Sequence, residues 1–161
     1  MIPIGKIRTP YKTPEGMPIQ GAFRKGVRGT VHLYARYRPG LEDIEGFSHL
    51  ILVYHFHHAR AAKLTGKPYL EDAEHGIFAI RAPQRPNRIG ISVVKFEALT
   101  AGGFNFSEVD ILDNTPLLDI KPYVSRFDVR KNVKNGWLDK HFEKNRRPAR
   151  TIVNDCETRL R

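Results

Sequence analysis

Cysteine is all but missing from these 161 residues. Cys156 stands alone, which excludes an internal disulfide and fits a reducing compartment. Long hydrophobic runs are missing too. The best of them, residues 50–56, is far shorter than a bilayer requires and contains His55. The opening Met-Ile-Pro-Ile-Gly lacks a basic stretch followed by an apolar one, so a soluble, cytoplasmic protein with no membrane partner is expected. There is no internal repeat, no low-complexity tract and no Gly-x-Gly-x-x-Gly, so a Rossmann-type cofactor site is the wrong expectation. Metal ligation is not expected either. His49, His55 and His57 would share one face of an extended strand, but their spacing matches no common zinc pattern, and they read as packing or hydrogen-bonding residues near a strand's end. Finally, no Asp or Glu lies between Ala79 and Lys95, although that interval holds Arg81, Arg85 and Arg88.

That last interval lies within the stretch around which the rest is organised. Residues 76–99 read as strand, rigid loop, strand: Pro83 and Pro86 fix their own φ and push Ala82 and Arg85 into extended conformations, while Gly90 permits a sharp turn. A stiff loop carrying unneutralised arginines makes a cationic rim suited to phosphate or carboxylate, though a solvated connection with incidental arginines explains it equally well. The whole chain is basic. Its 27 Lys and Arg against 17 Asp and Glu give +10, and residues 131–161 supply half of that excess. Such a balance favours a polyanionic partner.

In chain order, residues 2–8 suit a strand, followed by a long Gly- and Pro-rich loop over 13–29 in which Gln20, Gly21, Ala22 and Phe23 offer backbone for close approach to a ligand. Residues 30–37 read as a strand, 41–44 as a turn of helix, and 47–58 as a central strand buried on both faces. Residues 104–112 read as a further strand behind a hairpin turn at Ala101-Gly102-Gly103. Asp113 and Asn114 can form a turn by bonding their own backbone. Asp119, between Leu118 and Ile120, needs a partner if buried, and Lys121 or a loop arginine is available. A short helix is expected over 137–145, then a basic tail through Arg146-Arg147-Pro148-Ala149-Arg150. Many short strands with few helices predict a mainly β fold: a single β-barrel-like domain over 1–130 with short helices, and a basic C-terminal extension over 131–161 packed on it or trailing from it.

Four ordered segments carry a resemblance. They are Ile4-Gly-Lys-Ile-Arg-Thr-Pro-Tyr11, the Phe47-Ser-His-Leu strand, Gly76-Ile-Phe-Ala-Ile-Arg-Ala-Pro-Gln-Arg-Pro-Asn-Arg-Ile-Gly-Ile-Ser92, and Asp113-Asn-Thr-Pro-Leu-Leu-Asp-Ile-Lys-Pro-Tyr123. Together they resemble the TsaA-like family, which includes TrmO-type tRNA methyltransferases. The resemblance runs from Ile4 to about Tyr123, excludes the tail, and leaves the extra C-terminal domain of larger members unmatched. It implies a β-barrel, a homodimer, and S-adenosyl-L-methionine-dependent methylation of N6 in threonylcarbamoyl-adenosine next to the tRNA anticodon.

Carried over position by position, the implied cofactor contacts are Gln20, Gly21, Ala22, Phe23, His57, His58, Arg81, Ile91, Asp113, Asn114, Thr115 and Pro116. Two positions depart from the family pattern: Arg88 stands where proline is usual, and Asn114 where glycine is usual, although Asn also tolerates a left-handed backbone. Methyl transfer to an exocyclic amine needs in-line positioning and a base only as the amine becomes acidic. Asp119 and Tyr123 are the candidates for proton handling or base orientation. Arg85, Asn87, Arg88 and Lys121 are the expected RNA contacts, with the tail. Two rival readings use the same residues, a non-catalytic RNA-binding barrel and a family methyltransferase with a different substrate.

Overall fold

Alternating apolar and polar residues make a strand that buries one face and exposes the other. The computed structural model describes residues 1–24 and 26–142. In it the strands are β1 (Gly5–Arg8), β2 (Arg28–Leu33), β3 (His49–His55), the two-residue β4 (Thr65–Gly66) and β5 (His75–Gly76), β6 (Ile89–Thr100), β7 (Gly103–Ser107) and β8 (Thr115–Pro122). β4 and β5 pair with each other. The other six close into a barrel in the order β1-β2-β7-β6-β3-β8, every neighbouring pair antiparallel. The inward side chains, among them Ile7, Val31, Leu50, Leu52, Val94, Phe104, Phe106 and Leu117, are fully buried. A barrel of so few strands is narrow enough for side chains to fill it.

The mainly β barrel matches the sequence expectation, and several details differ. β3 buries Leu50, Leu52 and Tyr54 but only half-covers His49, Ile51, Val53 and His55, because one face of any barrel strand is the outer wall. β2 stops at Leu33, short of the expected Tyr37, since Ala35–Leu41 is a 3₁₀ segment containing Pro39. The expected turn of helix over 41–44 falls instead at Ile44–Gly46, behind a left-handed Asp43. Residues 76–80 are not a full strand: Ile77–Ala79 is a 3₁₀ turn, and the two buried residues, Ile77 and Ile80, sit three apart rather than two. Gly90 makes no turn. It lies within β6, where a Cβ would stand 2.3 Å from the Tyr54 ring, so close packing of that ring requires glycine.

Beyond the barrel come α1 (Ser125–Asp128), not anticipated, then a 3₁₀ turn Gly136–Leu138 and α2 (Asp139–Phe142). These last two match the start of the helix expected from Trp137. Its expected end at Asn145 and the basic run 146–150 lie outside the described residues. Among the described residues no helix is long and apolar enough to cross a membrane, and no cluster of His, Cys, Asp and Glu is arranged to hold a metal.

Candidate active site at one end of the barrel

In an all-antiparallel barrel the connections alternate between the two ends. β1, β3 and β7 finish where β2, β6 and β8 begin, so the segments 9–27, 56–88 and 108–114 all lie at one end. Those three segments hold Gln20, Gly21, Ala22, Phe23, His57, His58, Arg81, Asp113 and Asn114, and Thr115 and Pro116 open β8 at the same end. Positions far apart in sequence are thus gathered by topology before any side-chain contact is considered.

The contacts then join them. Arg81 donates from Nη1 to Gln20 Oε1 at 2.8 Å, linking the arginine loop to the first connection. Gly21 opens a 3₁₀ turn, Gly21–Phe23, and its N–H donates to Asp110 Oδ2 at 3.1 Å. A Cβ at Gly21 would lie 1.8 Å from the Glu108 carbonyl oxygen, so the close approach expected of this glycine is to the 108–110 backbone. Asp110 Oδ1 accepts from Ser92 Oγ at 2.6 Å, and Ser92 Oγ lies 3.0 Å from the Tyr54 hydroxyl. Burial pushes the Asp110 carboxyl above its usual range, against the hydrogen bonds from Ser92 and Gly21 that pull it down.

Asp113 is buried, which alone would raise its pKa. Lys12 Nζ at 2.5 Å, the Thr9 N–H at 3.0 Å and Arg8 Nε at 3.2 Å outweigh that, and its carboxyl is held below the usual range. Asn114 takes the left-handed backbone expected of it, at φ 60°, and accepts from Arg8. Among the described residues two buried side-chain polar atoms lack a well-aligned hydrogen-bond partner: His57 Nε2, near Asp113, and the Tyr11 hydroxyl, which lies beside Arg24 and Asp110. Tyr11 is tied to Asp113 through the backbone, Asp113 N–H donating to Tyr11 O at 2.7 Å. The His57 ring lies 3.9 Å from that of His58, tilted by 41°, and burial, with His58 and His55 beside it, lowers its pKa, which favours the neutral ring at pH 7.

Other expected residues are placed elsewhere. Ile91 is 61% exposed on the outer wall, register-paired with Val53, which is paired in turn with Asp119 on β8. Asp119 is partly exposed and pairs with Lys121 at 2.6 Å, one of the two partners foreseen for it. Tyr123, beyond β8, packs edge-on against His49 at the opposite end of the barrel. Asp119 and Tyr123 are therefore not brought together with the gathered loops. Arg85 is half-buried and spends its guanidinium on the carbonyls of Ile77 (2.9 Å) and Ile80 (2.7 Å). Asn87 is exposed, and Arg88 is left-handed at φ 51°, a conformation that proline cannot adopt. Asp110, Ser92 and Tyr11 are not among the site positions expected from sequence. Asp110 has a usable signal there, an acid between the apolar residues Val109 and Ile111, as Asp119 is between Leu118 and Ile120.

Residues 6–129 match the family described as tRNA-methyltransferase O N-terminal domain. A probable S-adenosyl-L-methionine-binding protein of Pyrococcus abyssi is 52% identical over 142 residues, covering 88% of this chain and 77% of that protein. A human protein named tRNA (adenine(37)-N6)-methyltransferase is 29% identical over 157 residues, covering 93% of this chain but 36% of its own length. The crystal structure of TrmO from Pseudomonas aeruginosa superposes with a TM-score of 0.71 at 32% identity, covering 96% of this chain and 77% of that one.

Proposed function

We propose, since the chain belongs to the family of the tRNA-methyltransferase O N-terminal domain, that it is an S-adenosylmethionine-dependent methyltransferase acting on tRNA, with N6 of threonylcarbamoyl-adenosine next to the anticodon as its target. The observation that carries the reading is the convergence of three connections at one barrel end, with a buried polar atom there, His57 Nε2, that no group among the described residues satisfies. The exposed loop backbone and this ring nitrogen suit a cofactor rich in nitrogen and oxygen. Gln20 to Phe23, His57, His58, Arg81 and Asp113 to Pro116 would hold it.

When bound, S-adenosylmethionine supplies an electrophilic methyl group on a sulfonium. The chain's own work is positioning. Arg81 and Gln20 lock two connections together, Asp110 fixes the Gly21 turn from behind, and Asp113 pins the exit of β1, so the mouth is built before the RNA arrives. His57, its neutral form favoured at pH 7, is able to accept a proton at the unpartnered Nε2. The expected roles of Asp119 and Tyr123 in proton handling require a second copy to carry them to a mouth. A place for that copy is the outer strip of Ile51, Val53, Ile91 and Val93, of which Ile91 and Val93 are 61% and 40% exposed, beside the Asp119–Lys121 pair. The protein works as a homodimer in the cytoplasm on this reading.

The test is methyl transfer to a tRNA pool followed by nucleoside mass spectrometry. N6-methylated threonylcarbamoyl-adenosine is the expected product. A methylated nucleoside of another kind would move the protein to a different substrate, and tRNA binding without cofactor binding would leave only an RNA-binding barrel.

A further inference from the structure

The 3₁₀ turn Ile77–Ala79 does something unusual for an apolar segment: it buries Ile77 and then displays Phe78, 78% exposed. The geometry explains how. With about three residues per turn, Ile77 and Ile80 fall on one side and are buried, which directs Phe78 to the other. The turn is also tied from several directions. Ile77 N–H donates to Leu64 O at 2.9 Å, Arg85 donates to Ile77 O and Ile80 O, and the Trp137 indole N–H donates to Ala79 O at 2.9 Å. Trp137 is itself stacked on His75 at 4.8 Å. A phenyl ring on a turn this constrained does not fold back onto the protein.

The residues that follow it are cationic. The Arg85 guanidinium lies 5.8 Å from the centre of the Phe78 ring, Arg81 follows three residues later, and no acid occurs from there to Lys95. Arg81 bonds Gln20 at the rim of the gathered loops, three residues along the chain from the ring. An exposed ring flanked by arginines is the arrangement that holds unpaired bases, since every base has a π face and the adjacent phosphates need positive charge. Fixing the ring in advance removes the ordering cost on binding.

We propose that Phe78 is a stacking platform for an unpaired base of the RNA substrate, and that Arg85 has two jobs, holding the turn and backing the ring. The inference rests on the reading of the protein as acting on tRNA. It is tested with an anticodon stem-loop carrying 2-aminopurine at each unpaired loop position in turn, using the wild-type protein and the variants Phe78→Ala, Phe78→Leu and Phe78→Trp. Wild type is expected to quench the probe at one position. Phe78→Ala and Phe78→Leu, the second keeping apolar bulk without a ring face, are expected to abolish that quench and weaken RNA binding roughly tenfold, whereas Phe78→Trp retains both. S-adenosylmethionine affinity by calorimetry and sedimentation behaviour are expected to be unchanged in all three. Wild-type quench and affinity in Phe78→Leu would overturn the inference on an active enzyme. So would an altered sedimentation coefficient in Phe78→Leu, which would make the ring a contact between protein copies. A wild-type protein that neither binds nor methylates tRNA would overturn the functional reading first, and this inference with it.

Discussion

Asp110 and Asp113 stand three residues apart and are held in opposite senses. Asp113 is lowered because the donors from Lys12, Thr9 and Arg8 outweigh its burial, so its contribution to stability is present above its unfolded value, about 4, and is lost as the pH falls through the lower folded value. Asp110 is raised by burial, so its contribution is present below about 4 and is lost as the pH rises through the higher folded value. Urea unfolding between pH 3 and 7 separates them. Asp113→Asn is expected to cost about 1–3 kcal/mol at pH 7, shrinking toward pH 3, whereas Asp110→Asn is expected to gain on the wild type as the pH rises. A steric prediction belongs at the same scale. Because a Cβ on Gly21 would lie 1.8 Å from the Glu108 carbonyl oxygen, Gly21→Ala must displace the turn. At least a tenfold loss of cofactor affinity by calorimetry is expected, and unchanged affinity would remove this turn from the site.

Among the elements, the strands were legible and the segments between them less so. β6 and β8 declare themselves where burial alternates along them, and β3 by its apolar run, although it buries only one face. β7 is buried on both sides and stops at Ser107, short of the expected Leu112, where Glu108 turns left-handed at φ 65°. The 3₁₀ turn at Ile77–Ala79 and the role of Arg85 are not local properties. They depend on Leu64, Trp137 and the 56–88 connection, which meet only in the folded chain. The same holds for the docking of 136–142, where Lys140, His141 and His75 converge on Glu71 and hold its carboxyl down at about 2. The Glu71 contribution is present above its unfolded value near 4.5 and is lost as the pH falls toward 2. The exchange protection factors of the 77–79 and 136–142 amides, which discount the intrinsic slowing of exchange in acid, are expected to fall together over that window, and in Trp137→Ala already at pH 7. A loss of protection in only one segment would show that they are not coupled.

At the scale of the whole molecule, an all-antiparallel barrel whose strand order departs from chain order explains why residues from three distant segments were readable as site candidates but not as neighbours. The resemblance named the positions, and the alternation of strand direction places most of them at one end while leaving Ile91, Asp119 and Lys121 on the outer wall and Tyr123 at the far end. Charge is also unevenly shared, half of the +10 falling in residues 131–161. If these residues sit on phosphates, truncation after Asn145 is expected to flatten the salt dependence of tRNA binding while sparing the choice of adenosine. A slope equal to that of the full chain would remove the tail from the interface. The central claim is that the three connections at one barrel end form the cofactor pocket, and titration calorimetry of S-adenosylmethionine tests it most directly, with Arg81→Ala and His57→Phe compared against wild type. The account predicts at least a tenfold weaker affinity in each variant, with unfolding midpoints close to that of the wild type. Wild-type affinity in both variants would contradict it.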